Sequence, residues 1–262
     1  MIRRSSNGGD ISFVVEELRL GGYVGFWLIV LTGMVLTRAY SGIDLSDTLL
    51  TRVFGYNNIC IYFDFAPATF VLPFLWAITL TMLLCYLGAQ WLQMRAEVEE
   101  GAITPRLYTV LTRLKLFEAT MLLAFSTIFA VQPEAWDHTL IIHTLPFVML
   151  QIGLVSLAIS NTVHGIKSGY WSSLALPSWF IPGAKLYVVF FAIVVCFKIP
   201  QAINALAGYP WWELTPTIAR LAHIVDILFL ISAAIIPMWK AAYFVWGRRD
   251  RLKVVRLSAR TA

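Results

Sequence analysis

The feature that most constrains this chain is a set of six long apolar stretches separated by short, more polar connections. A helix needs roughly 20 mostly apolar residues to cross a hydrocarbon core ~30 Å thick, because each residue rises only ~1.5 Å. Stretches of that length cover residues 22–40, 66–92, 107–131, 139–163, 184–206 and 217–246. Membrane-spanning strands would be about ten residues long and would alternate in polarity, which these continuous runs do not. With 59% hydrophobic and 13% charged residues, the chain also lacks the polar surface that a water-soluble domain of its length requires. The expected fold class is all-α: a polytopic membrane helix bundle with six transmembrane helices in one integral membrane domain, residues 1–262. No polar segment is long enough to build a second, soluble core.

Orientation is written in the basic residues. Six spans leave both termini on one side, which collects Arg3, Arg4, Arg19, Arg95, Arg106, Lys167, Lys185 and a tail holding Arg248, Arg249, Arg251, Lys253, Arg256 and Arg260. The other side holds little beyond Arg38, Arg52 and Arg220. The excess predicts a bacterial inner or organellar membrane with both termini on the inner, cytoplasmic or matrix or stromal, side. The net charge of +5 is therefore directed at anionic lipid around the basic tail, and no nucleic-acid partner is expected. Cys60, Cys85 and Cys196 are three thiols that cannot all pair, so no structural disulfide is expected.

Ahead of the first span, Asp10 is a suitable N-cap, and Ile11, Val14, Val15 and Leu18 fall on one helical face. This pattern predicts an N-terminal interfacial helix along the inner leaflet. Between the first two spans, Asp44 or Ser46 can cap a short helix through Val53, with a turn at Gly55, Asn57 and Asn58. That connection is too apolar to float in water and is expected to fold back over the outer mouth of the bundle. Residues 164–183, with Trp171 and Trp179, read as a headgroup-level loop rather than a seventh span. Gly21 and Gly25 form a small-xxx-small pair at the start of the first span.

Ionisable side chains within a span cost roughly 2.5–3.5 kcal/mol each on insertion scales, so they should face the bundle interior and find partners. Counting depth along antiparallel helices puts Lys198 and Asp226 at one level, and the short connection between their spans makes those helices neighbours. A Lys198–Asp226 ion pair is expected, with Glu118 within reach of the same lysine. His223 lies one turn from Asp226, and His143 enters from the outer end of the fourth span, after Trp136, Asp137 and His138. Glu118, His143, Lys198, His223 and Asp226 thus form an expected intramembrane polar cluster. Four readings of it stay open: a metal site of His143, His223 and Asp226, two imidazoles on a haem, a proton or anion relay, or simple packing. No cofactor follows from the residues alone. Pro200, beside Lys198, is expected to kink the fifth span.

Zinc-protease, P-loop, nucleophile-elbow and dinucleotide-binding motifs are all absent, so no catalytic residue is assigned. The leading expectation is a non-catalytic accessory subunit of a larger membrane complex, of the respiratory or photosynthetic energy-converting kind, with other membrane subunits as partners. The alternative is a transporter or channel for small molecules or ions, or a small membrane oxidoreductase, built around the intramembrane cluster.

Overall fold

The computed structural model describes residues 2–4, 11–131 and 139–257. Asp10, Trp136, Asp137, His138 and the tail beyond Leu257 lie outside the described residues. The chain is an all-helical bundle clasped at one end by a small antiparallel sheet. Its elements are β1 (Ile2–Arg4), β2 (Ile11–Val14), α1 (Val15–Tyr40), α2 (Leu49–Phe54), α3 (Ile61–Asp64), α4 (Ala68–Glu99) and α5 (Pro105–Phe125). They continue with α6 (Thr139–Lys167), α7 (Tyr170–Ser173), α8 (Phe180–Leu206), α9 (Pro216–Leu230), α10 (Ile236–Gly247) and β3 (Val254–Leu257). A π-helical turn, Ile231–Ile235, joins α9 to α10 in one continuous rod.

Among the described residues, five helices are long and apolar enough to cross a membrane: α1, α4, α6, α8 and the α9–α10 rod. The chain is therefore an integral multi-pass membrane protein. The expected third span begins as α5, capped by the Thr104 hydroxyl with Pro105 in the first turn, and ends in a 3-10 turn at Ser126–Ala130. It differs from the other five because it carries Arg113, Lys115 and Glu118 within its apolar stretch. Thr215 and Pro216 start α9 in the same way. The helix α8 runs unbroken through Pro200.

The expected interfacial helix is corrected. Residues 11–14 form strand β2, and Val15–Leu20 are already the first turns of α1. β2 pairs with β1 on one side and with β3 on the other, Ile11 opposite Leu257 and Val14 opposite Val254. The run of β-branched and aromatic residues that suits a helical face suits a strand equally well, and a partner some 240 positions away in the chain decides between them.

Helix contacts are antiparallel and close. The α1–α4 contact passes through Gly22 against Leu83, Gly25 against Thr79 and Gly33 against Leu72. A Cβ at Gly33 would also lie 2.7 Å from the carbonyl oxygen of Tyr62. The α8–α9 turn is held by Asn204, whose amide donates to Trp212 O (2.9 Å) and whose carbonyl accepts from Trp211 N (2.9 Å). The connection between α1 and α4 does fold back on the bundle. Asp44 accepts from Ser46 N (2.9 Å), the Thr48 hydroxyl caps α2, and Gly55 ends α2 in the left-handed region at φ 78°. Leu50, Phe54, Tyr56, Tyr62 and Phe63 are buried by it. The sheet marks one end of the bundle, the sheet end, and this connection covers the opposite, far end.

Candidate functional site

At the far end, α8 and α9 place Lys198 and Asp226 face to face as a buried ion pair. The ammonium also lies over the rings of Phe147 (5.6 Å) and Phe229 (5.4 Å), whose negative faces favour a cation. His223, exposed, stacks on Tyr56 with ring centroids 5.1 Å apart and 13° between planes. The Tyr56 hydroxyl is hydrogen-bonded by Gln201 and Asn58. Burial, and then the Asp226 carboxylate, push the Tyr56 phenol well above its ordinary range. Burial likewise pushes the Cys60 thiol well up, helped by Asp64 and Asp226 and opposed by Lys198.

His143 is fully buried nearby, at the start of α6. Its Nδ1 lies 2.9 Å from the Val131 carbonyl oxygen, and its Nε2 lies 3.4 Å from Asp64 Oδ1 on α3. The second distance is a charge contact and is long for a hydrogen bond.

Glu118 does not join Lys198. Lys115, one turn before it on α5, donates to Glu118 Oε2 (2.9 Å), to Ser160 Oγ (2.8 Å) and to Asn161 Oδ1 (3.0 Å). Ser160 donates to Glu118 Oε1 at 2.7 Å and Ser156 to the same oxygen at 3.2 Å. Asn161 Oδ1 also accepts from Tyr86 OH (3.0 Å) and Gln90 Nε2 (2.8 Å). Three helices, α4, α5 and α6, thus satisfy one buried acid–base pair, which is what makes its desolvation affordable in an apolar interior. Tyr86 extends the network to Arg19, which pairs with Glu16 on α1 at 2.6 Å.

At the sheet end, His164 Nε2 meets Glu97 Oε2 at 2.6 Å. Gln93 Nε2 and Lys253 Nζ both donate to Glu97 Oε1, at 2.9 and 2.8 Å. The acid is buried within α4, while the lysine reaches it from the segment just before β3.

The five residues expected to cluster therefore fall into three places. Lys198, Asp226 and, through Tyr56, His223 share the far end; His143 sits with Asp64; Glu118 sits with Lys115 farther toward the sheet. Among the described residues no group of three His, Cys, Asp or Glu side chains could hold a metal, so the set His143, His223 and Asp226 is not assembled as a ligand shell. The acid at 64, the Glu97–His164 pair and the Ser160–Asn161 donors and acceptors were not anticipated. Asp64, between aromatic residues in YFDF, was the one with a readable signal. The chain matches no protein-family model, no curated protein and no solved structure in the comparisons made.

Proposed function

We propose that this protein is a six-span proton-relay protein of an inner-type membrane, with the buried side of α6 as its conducting track. The observation that carries the reading is the placement of three acid–base pairs along that helix: Asp64 with His143, Glu118 with Lys115 at Ser160, and Glu97 with His164. His143 and His164 are 21 positions apart, roughly 32 Å of helix and close to the thickness of a hydrocarbon core. The pairs stand toward the two ends of α6, His143 at one and Ser160 and His164 one turn apart at the other, so a relay has to cross the roughly 25 Å of helix between His143 and Ser160. Between His143 and Ser160 the track runs past an apolar cavity of about 50 Å³ lined by Leu122, Phe125, Leu150, Leu154 and Leu157, a natural place for gating by wetting and drying.

Six spans and a shared side for both termini are part of this proposal. The pairing of β2 with β3 supports it, because a chain that enters and leaves the bundle at the same end crosses an even number of times, and α5 supplies the sixth crossing. The basic residues gathered around the sheet end favour placing that end inside.

Purified protein in vesicles with a trapped pH dye and a valinomycin-set potassium potential tests the reading. Potential-driven acidification faster than in protein-free vesicles, and lost in Glu118→Gln, is expected. Acidification no faster than in empty vesicles would overturn it.

The accessory-subunit reading is favoured by a different observation: Arg19, Lys115 and Lys198 are each neutralised by a carboxylate of this same chain, as a purely architectural set would be. Gentle extraction from the native membrane separates the two. Migration in a large multi-subunit particle supports the subunit role, and migration alone counts against it.

A further inference from the structure

Two cavities, both lined in part by Phe147, differ in chemistry as well as in size. The larger, about 50 Å³, has no polar atom facing it. The smaller, about 20 Å³, is lined by Tyr56, Asn58, Cys60, Thr144, Gln151, Lys198 and Gln201 together with apolar neighbours. Gln151 is buried to 1% exposure, and its Oε1 has no hydrogen-bond partner among the described residues. A buried amide oxygen left bare costs about 1–3 kcal/mol, so such an atom facing a polar cavity points to a ligand that donates to it.

We infer that the smaller cavity is a binding site for one water molecule, which donates to Gln151 Oε1 and accepts from the Lys198 ammonium. The volume admits it: a site needs roughly 10–15 Å³ to hold one water, and two to four polar partners. Lys198 has three N–H donors, and Asp226 is the only hydrogen-bond partner it has among the described residues. The hydroxyls of Thr144 and Tyr56, both in the lining, are the oxygens available for the water's remaining hydrogen. An anion does not suit the site, because Asp226 already balances the lysine charge and Gln151 Oε1 would repel it. The larger cavity, with no polar partner, is dry in the resting protein, so hydration there runs opposite to cavity size. The site stands on this geometry whether or not the chain conducts protons.

Pulsed X-ray radiolysis tests the inference on the whole protein in detergent or nanodiscs, since radicals generated from a trapped water oxygenate the side chains beside it. The control is internal. Tyr56 and Cys60 (8% and 5% exposed) line the polar cavity, while Trp76 and Phe125 (4% and 2%) line the apolar one at similar burial. Tyr56 and Cys60 are expected to be oxygenated many times faster than Trp76 and Phe125. On dilution into H2(18)O they should take up the heavy isotope only after a lag, as for a water exchanging slowly with bulk. The excess labelling at Tyr56 should be lost in Gln151→Leu and in Gln151→Met. Labelling of Tyr56 no faster than that of Trp76 and Phe125 in the unmodified protein would overturn the site, and this comparison needs no variant to fold. Uptake of the isotope without a lag would overturn it too, by assigning the labelling to bulk water.

Discussion

Lys198 and Asp226 face each other across the α8–α9 hairpin as a buried ion pair, with the ammonium lying over the rings of Phe147 and Phe229. Removing one partner leaves an uncompensated charge in an apolar surround, at a cost of about 3–5 kcal/mol. Lys198→Met and Asp226→Asn should each lower the thermal midpoint in detergent markedly. The exchanged pair, Lys198→Asp with Asp226→Lys, should be better tolerated than Lys198→Asp or Asp226→Lys alone. Strict additivity in that double-mutant cycle would show that the two side chains do not interact.

Glu118 separates stability from conduction. Glu118→Gln leaves Lys115 with Ser160 and Asn161 but with no counter-charge, so the variant should be destabilised. Adding Lys115→Met should restore much of the thermal midpoint, because the lone charge is gone, while leaving proton flux into vesicles at background. Recovery of flux together with stability would show that this pair only builds the bundle.

Gly33 should tolerate no side chain. The Cβ of Gly33→Ala would stand 2.7 Å from a backbone oxygen of the far-end connection, an overpacking expected to cost about 1–3 kcal/mol. Gly88 in α4 has open space where a Cβ would go, and Gly88→Ala should be neutral or stabilising by up to about 1 kcal/mol from helix propensity. Paired thermal melts of the two variants decide this, and equal effects would refute the close approach of α3 to α1.

Cys60 gives a pH-dependent signature. Its thiol is raised in the folded protein above the ordinary value of 9.0, so the folded state holds the proton that the unfolded chain would release. The associated stability is fully present below that ordinary value and is lost as the pH climbs through it toward the raised folded value. At pH 8 to 9, Cys60 should resist maleimide in the folded protein and react on denaturation. Mass mapping of the alkylated peptides reads this directly, and rapid labelling of folded Cys60 would contradict a buried, protonated thiol.

How much of this was legible in the sequence depends on how local the deciding interaction is. Apolar length alone located the five helices long and apolar enough to cross a membrane, and depth counting with a short hairpin located the Lys198–Asp226 pair. The same counting placed Glu118 near Lys198, yet Lys115 sits three residues before it on the same helix and claims it first. Ser160 and Asn161 carry no signal in an apolar run, since small polar residues pack helices as readily as they bind charge. The expected Gly21–Gly25 pair was close to the observed contact, but the helix face that meets α4 is the one carrying Gly22, Gly25 and Gly33. Glu97–His164 and the β2–β3 pairing join residues far apart in the chain, and a pattern within one window cannot display such a partner.

The clasp between β2 and β3 also sets a timetable. β2 is made before the helices and β3 after them, so the sheet cannot close until every helix between the two strands has been delivered to the membrane. Lys253 reaches Glu97 only when that strand is made, four residues ahead of the end of β3. The clasp is therefore a seal set after insertion of the helices it spans, and removing residues 252–257 would keep those helices while leaving the Glu97–His164 end unfastened.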